Sequence, residues 1–283
     1  MHQNLPFTVW NLLRAFDPDK KGYVSKTRFY KLSYLVHTKL KKRKIQTGLP
    51  WCWYIYGPEV QIKYIPPSIY TSEEKPDGTR LFFGAEPKDC PPEPKDRAAI
   101  LYEISALQKR HPRTDELVKE IYADPPKNVL SLLKDYDDLV NSIGKGQTMV
   151  DGGHVPIIIS QLDRIEKSYS EDAFGEMYPE FLRLDDMIRL SMHNRPGRIG
   201  EIGQTIHLFR EIVATKASAL FNENLPREFA DERMDLLRTR LDAFKPLLNE
   251  LESDLLKDIP LTEGDRKHTG ELAKVALTIA KGE

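Results

Sequence analysis

Lys31-Leu-Ser-Tyr-Leu-Val-His37, followed by Trp53-Tyr-Ile-Tyr-Gly-Pro58, sets a helix beside a strand in the first third of the chain. Phe29, Leu32, Leu35, Val36 and Leu40 recur at helical spacing and give the helix one apolar stripe. Ser25 is placed to cap its start, because a serine hydroxyl accepts from a free amide of the first turn. The helix is expected to run to Lys42, with cations in its last turn, where they suit the helix dipole. Trp51 to Tyr56 is aromatic, β-branched or Cys throughout, which suits a strand covered on both faces.

Working outward, Phe7, Trp10, Leu12 and Leu13 predict a short helix over 7–15, ended by Phe16-Asp-Pro-Asp-Lys-Lys-Gly22. Two runs, Ser68 to Glu73 and Thr79 to Phe83, flank Lys75-Pro-Asp-Gly78. Pro, Asp and Gly in that order favour a reversal, so a β-hairpin or wing is expected. Pro87, Pro91, Pro92 and Pro94 make a stiff connector. Helices follow, one capped by Asp96 and carrying Ile100, Leu101, Ile104 and Leu107, then Thr114 to Tyr122 and Asn128 to Val140. Gly144, Gly146, Gly152 and Gly153 mark a domain boundary, giving units of 1–145 and 154–283.

The second half reads as heptads. Met234, Leu237, Leu241, Phe244, Leu248, Leu251 and Leu255 alternate steps of three and four. Ile199, Ile202, Ile206, Phe209, Val213, Lys216 and Leu220 do the same, and Phe174, Met177, Phe181, Leu184 and Ile188 repeat it over a shorter length. Helices over 157–169 and 266–281 complete the set. Breaks at His193–Gly197 and Asn222–Pro226 are short enough to force antiparallel neighbours. Pro179 and Pro246 should kink helices or mark their ends. The seam from Met234 to Leu255 closes either inside an antiparallel bundle or across a two-fold axis as a homodimer. The fold class expected is mainly α: an N-terminal helical domain with a small winged-helix-like hairpin, then a helical bundle or coiled coil.

The chain has 283 residues and a net charge of −1, which hides an asymmetry. Residues 1–50 carry 11 Lys/Arg against 2 Asp/Glu, whereas residues 151–283 carry 18 against 25. The basic block and the acidic half either face each other or serve different partners. There is no apolar run of membrane-spanning length and the N-terminus lacks a signal-peptide layout, so a cytoplasmic protein without membrane contact is expected. Cys52 and Cys90 are too few for a disulfide framework or a zinc site.

Catalytic and metal chemistry find little support. Asp17-Pro-Asp-Lys-Lys-Gly-Tyr-Val-Ser25 begins like a calcium loop, but Lys21 and Arg28 stand where oxygen ligands belong. The seven histidines show no metal-binding spacing, and His37, beside the apolar stripe, suits a hydrogen-bonded packing role. Glu73-Glu-Lys75 falls on a turn with no partnering Asp strand. Phosphate-binding and nucleophile-elbow motifs are absent. No catalytic residue, metal or cofactor is assigned.

The helix Thr27-Arg-Phe-Tyr-Lys-Leu-Ser-Tyr-Leu-Val-His37, with Tyr56-Gly57-Pro58 after it, resembles the Panacea domain, also called the SocA-like antitoxin domain, over residues 5–140. Members typically show a Lys-Leu-x-Tyr-(Leu/Phe) helix and a Tyr-Gly-Pro segment. The resemblance implies a mainly helical fold and a non-enzymatic role, either neutralising a partner toxin or acting as an adaptor in proteolysis. The expected partner is a protein, such as a toxin or defence effector. Partner contact is assigned to the basic helix end, Lys39, Lys41, Lys42, Arg43 and Lys44, and to an exposed Tyr56, Gly57 and Pro58 corner. The alternative is a DNA-binding regulator, with the basic block on phosphates and the C-terminal helices dimerising it. The Trp51, Trp53, Tyr54 and Tyr56 cluster is aromatic enough to stack bases, though a core strand explains it too.

Overall fold

The computed structural model describes residues 2–17, 23–88, 91–110, 112–122, 128–144, 154–169, 171–194 and 199–257. Within them the chain is mainly helical, with two small antiparallel sheets. The calcium-loop-like turn (18–22), the glycine-rich boundary (145–153), part of the 193–197 break and the 266–281 helix lie outside the described residues.

Helix α1 (Asn4–Phe16) leads to a short strand β1 (Val24–Ser25) and helix α2 (Lys26–Lys42). The Ser25 hydroxyl accepts from the Arg28 amide at 3.3 Å, the cap expected from sequence. All five stripe residues of α2 are buried. Strand β2 (Trp51–Tyr54) turns back into β3 (Gly57–Val60), with Tyr54 opposite Gly57 and Trp51 opposite Val60. The strand expected through Tyr56 is therefore cut at Tyr54, because Gly57 adopts φ +90° and lets the chain reverse. Strands β4 (Tyr70–Lys75) and β5 (Gly78–Phe83) form the expected hairpin, and β1 pairs with β5, giving the order β1-β5-β4.

Helices α3 (Pro94–Arg110), α4 (Thr114–Tyr122) and α5 (Asn128–Gly144) follow, then α6 (His154–Ser168), the short α7 (Glu171–Phe174), α8 (Tyr178–Asn194) and α9 (Ile199–Leu220). Strand β6 (Asn222–Glu223) precedes α10 (Arg227–Lys257), whose 31 residues span about 46 Å. Pro179 sits in the first turn of α8, where no amide is needed. Pro246 ends no helix; α10 runs through it.

Two readings from sequence meet the packing of the helices here. The seam on α10 is filled from within the chain. Leu237, Phe244, Leu248 and Leu255 are buried in the core, and Met234, Leu241 and Leu251 pack against it, with α9 and α8 as the neighbours. Four of the seven are fully buried by the chain's own helices and three are partly buried. The halves on either side of the expected boundary also share one apolar cluster, from Leu5 to Leu255. The Asn222–Pro226 break does more than turn the chain: β6 joins the edge of β2, with Glu223 opposite Trp51 and Asn222 opposite Cys52.

A buried ion pair reinforces that junction. Arg210 on α9 and Asp137 on α5 are 3% and 2% exposed, and their side chains bond directly. Arg210 Nη2 also donates to the Ile55 carbonyl at 2.9 Å. Asp137 accepts further from His207 Nδ1 at 2.9 Å and Asn141 Nδ2 at 2.8 Å. Removing one partner leaves a buried charge without compensation. Arg210→Met is expected to cost about 3–5 kcal/mol, read as a lower urea midpoint, with much of the loss recovered in Arg210→Met/Asp137→Leu.

Candidate functional site

The β2–β3 turn carries the most exposed aromatic of the sheet. Tyr56 is 63% exposed, while Ile55, Gly57 and Pro58 around it are buried. The expected exposed Gly-Pro corner is thus a single projecting tyrosine on a buried base. Pro58 faces Trp53 across the ladder, which closes it off from solvent.

The base is tied to both α2 and α9. Lys31, fully buried on α2, donates its ammonium to the Tyr56 carbonyl. Burial pushes the Lys31 ammonium down to about 8, with Glu59 acting in the opposite sense. The Arg210 guanidinium lies 5.2 Å from the centre of the Tyr56 ring. A methyl on Gly57 would meet Lys31 Nζ at 2.8 Å and the Tyr122 hydroxyl at 3.3 Å. That hydroxyl is buried without a hydrogen-bond partner among the described residues. Trp53 meets the Tyr122 ring edge-on at 5.5 Å and completes the base.

Two of the five basic residues at the helix end are held in ion pairs. Lys41 pairs with Glu223 of β6, and Arg43 with the buried Glu103 of α3 at 2.8 Å, its guanidinium 5.0 Å from the Tyr102 ring. Lys42 and Lys44 are exposed and Lys39 is half-buried. Two of the five cations are thus paired with carboxylates of other elements, and three are not tied by those pairs. They also lie apart from Tyr56 in the pairing network: Lys41 answers Glu223, whereas Tyr56 is held by Lys31 and Arg210.

Glu223 also reaches His37. His37 Nε2 is 3.1 Å from Glu223 Oε2, and Nδ1 is 2.8 Å from the Thr47 hydroxyl. A neutral imidazole protonated on Nε2 satisfies both contacts, donating to the carboxylate and accepting from the hydroxyl. Burial, and then Lys41, hold the His37 pKa below its ordinary value, against the pull of Glu223. Hydroxyl, imidazole and carboxylate in line form the pattern of a nucleophilic triad. Thr47 is 0% exposed, however, and its hydroxyl accepts from the Leu49 amide at 3.3 Å, so no substrate carbonyl can reach it. The adjoining cavity of about 270 Å³ is lined by Lys41, Lys44, Gln46 and Asn224 as well as by His37 and Glu223. Burial pushes the Cys52 thiol up to about 12, which leaves it protonated and inert at neutral pH. Among the described residues no group of three His, Cys, Asp or Glu side chains is placed to hold a metal ion, and no helix is long and apolar enough to cross a membrane.

No family model, curated protein or solved structure matches the chain. Its own geometry carries the functional reading.

Sequence reasoning singled out Tyr56 but missed Arg210, Asp137, Glu223 and Thr47. The available signal was polarity out of place: Arg210 follows Phe209 in a heptad seam, and Lys31 interrupts the buried face of α2.

Two outcomes are expected. Gly57→Ala, which must hold φ +90° against Lys31, costs more than about 1 kcal/mol in urea unfolding. His37, kept neutral in the folded state, leaves stability intact above its ordinary value of 6.5. Stability is then lost as pH falls through the lower folded value, since the unfolded chain takes up the proton first. Wild type should lose more stability between neutral and acidic pH than His37→Gln, measured as urea midpoints across pH.

Proposed function

We propose that the chain is a non-enzymatic interaction protein that docks a protein partner through the Tyr56 turn, in an antitoxin- or adaptor-like setting. The observation that carries this reading is an exposed tyrosine on an immobilised backbone. Tyrosine supplies large contact area at low entropic cost, and a preorganised turn lowers the ordering cost of binding. Lys31 and Arg210, two cations kept out of water beneath one turn, are a costly way to build a turn unless its position matters. The resemblance to the Panacea domain supplies the partner class, a toxin or defence effector in the cytoplasm.

A DNA-binding regulator is the second reading. A three-stranded sheet of order β1-β5-β4 beside α2 supports a winged-helix-like reading, and Lys39, Lys42 and Lys44 supply positive charge. The hairpin carries Glu73, Glu74 and Asp77 against Lys75 and Arg80, which disfavours a phosphate backbone at the wing.

The test is co-expression with a toxic protein encoded beside the gene. The wild-type chain should co-purify with it and restore growth. Tyr56→Ala should keep its thermal midpoint yet bind roughly 30-fold more weakly, about 2 kcal/mol for a central aromatic anchor. Equal binding by Tyr56→Ala rules out the turn as the anchor. Salt-sensitive DNA retention, lost when Lys39, Lys42 and Lys44 become Ser, supports the regulator instead.

A further inference from the structure

An open cavity of about 500 Å³ lies where the first turns of α5 meet the last turns of α6. Arg164, Lys167 and Ser168 line it from α6, at steps of three and one that keep them on neighbouring positions of one face. Ser131 and Asp135, four residues apart, line it from α5 together with Leu132. Tyr122 closes it from the end of α4. The core holds these walls in place: Leu132 and Tyr136 of α5 and Leu162 and Ile165 of α6 are buried in the same apolar cluster.

The charges on the two walls do not neutralise one another. Among the described residues neither Arg164 nor Lys167 pairs with a carboxylate, and Asp135 pairs with no cation. Arg164 bonds only the Gln161 side chain, at 3.1 Å. Other charges on these helices are paired: Lys134 with Asp138 at 2.5 Å, and Asp163 with Arg189 of α8 at 2.8 Å. Asp135 thus shares a cavity with two cations and bonds neither, which leaves space between opposite charges.

We propose that this cavity binds a ribonucleoside monophosphate. The lining matches the parts of that ligand. Arg164 offers phosphate oxygens a planar fork of donors, Lys167 adds a compact positive charge, and the Ser168 hydroxyl is a further donor. A carboxylate repels phosphate but accepts from the hydroxyls of a ribose, and Asp135 is such a group. Leu132 and Tyr122 give the base a less polar wall. The volume lies within the roughly 300–1,000 Å³ of small-molecule sites. Inorganic phosphate alone would leave most of it empty and would meet Asp135 as a like charge.

Calorimetric titration of the full chain with AMP, GMP, CMP and UMP tests this. At least one should bind one-to-one with a Kd of about 10–100 µM, and inorganic phosphate at least about tenfold more weakly. Arg164→Gln and Lys167→Gln should each weaken the nucleotide about tenfold. Both should keep the thermal midpoint, because neither side chain holds an ion pair among the described residues. Asp135→Ala should move the two probes in opposite directions. It tightens phosphate by removing a like charge, and it weakens the nucleotide by removing the acceptor for its ribose. No binding of any of the four up to about 2 mM overturns the proposal. So does a nucleotide held no more tightly than phosphate, which marks a bare anion patch. Binding indifferent to both Arg164→Gln and Lys167→Gln overturns it as well, as does an Asp135→Ala chain that holds both probes more tightly.

Discussion

Among the contacts between the two halves of the chain, the buried pair formed by Arg210 and Asp137 constrains the most elements at once. Neither side chain has access to water, so each must find its full complement of partners in the protein. Asp137 does so through His207, Asn141 and Arg210; Arg210 bonds Asp137 and the Ile55 carbonyl, and its Nε is left without a hydrogen-bond partner among the described residues. The last bond reaches into the β2–β3 turn. One guanidinium therefore fixes α5, α9 and the turn relative to one another, and the projecting ring of Tyr56 takes its position from all three. Lys31 repeats the device from the other side, tying the same turn to α2.

The second link between the halves is polar as well, and it is local. Strand β6 has two residues, too few to hold by its own ladder. Its neighbours add to the ladder: the Phe221 carbonyl accepts from the Trp53 amide at 2.9 Å, and Asn224 Nδ2 donates to the Leu49 carbonyl at 3.0 Å. Glu223 then bonds both His37 and Lys41. The charge asymmetry seen in the composition meets at this point. It does not make two opposed faces, because Arg43 turns instead to Glu103 within the N-terminal half.

Much of the helical framework was legible in the residues. Ser25 and the stripe from Phe29 to Leu40 gave α2 its start and its buried face, since capping and helical periodicity are local properties. Lys75-Pro-Asp-Gly78 gave the hairpin for the same reason. The heptad on α10 correctly marked its buried side. It said nothing about what covers that side, because a stripe of leucines packs equally well on a helix of its own chain or of another. The corner at Gly57 was legible, but the strand at Asn222 escaped notice because it is defined by a partner far away in sequence.

The sequence by itself determined the elements: which segments are helices, where the exposed hairpin lies and which face of each helix is apolar. These follow from periodicity, caps and turn chemistry within a few residues. Only the tertiary structure decided how the elements meet: that one core runs through both halves, that Arg210 and Lys31 lie beneath Tyr56, and that the α10 seam closes inside the chain. Such choices depend on pairing charges and filling space between segments distant in sequence, and local pattern carries no information about which distant partner completes a contact.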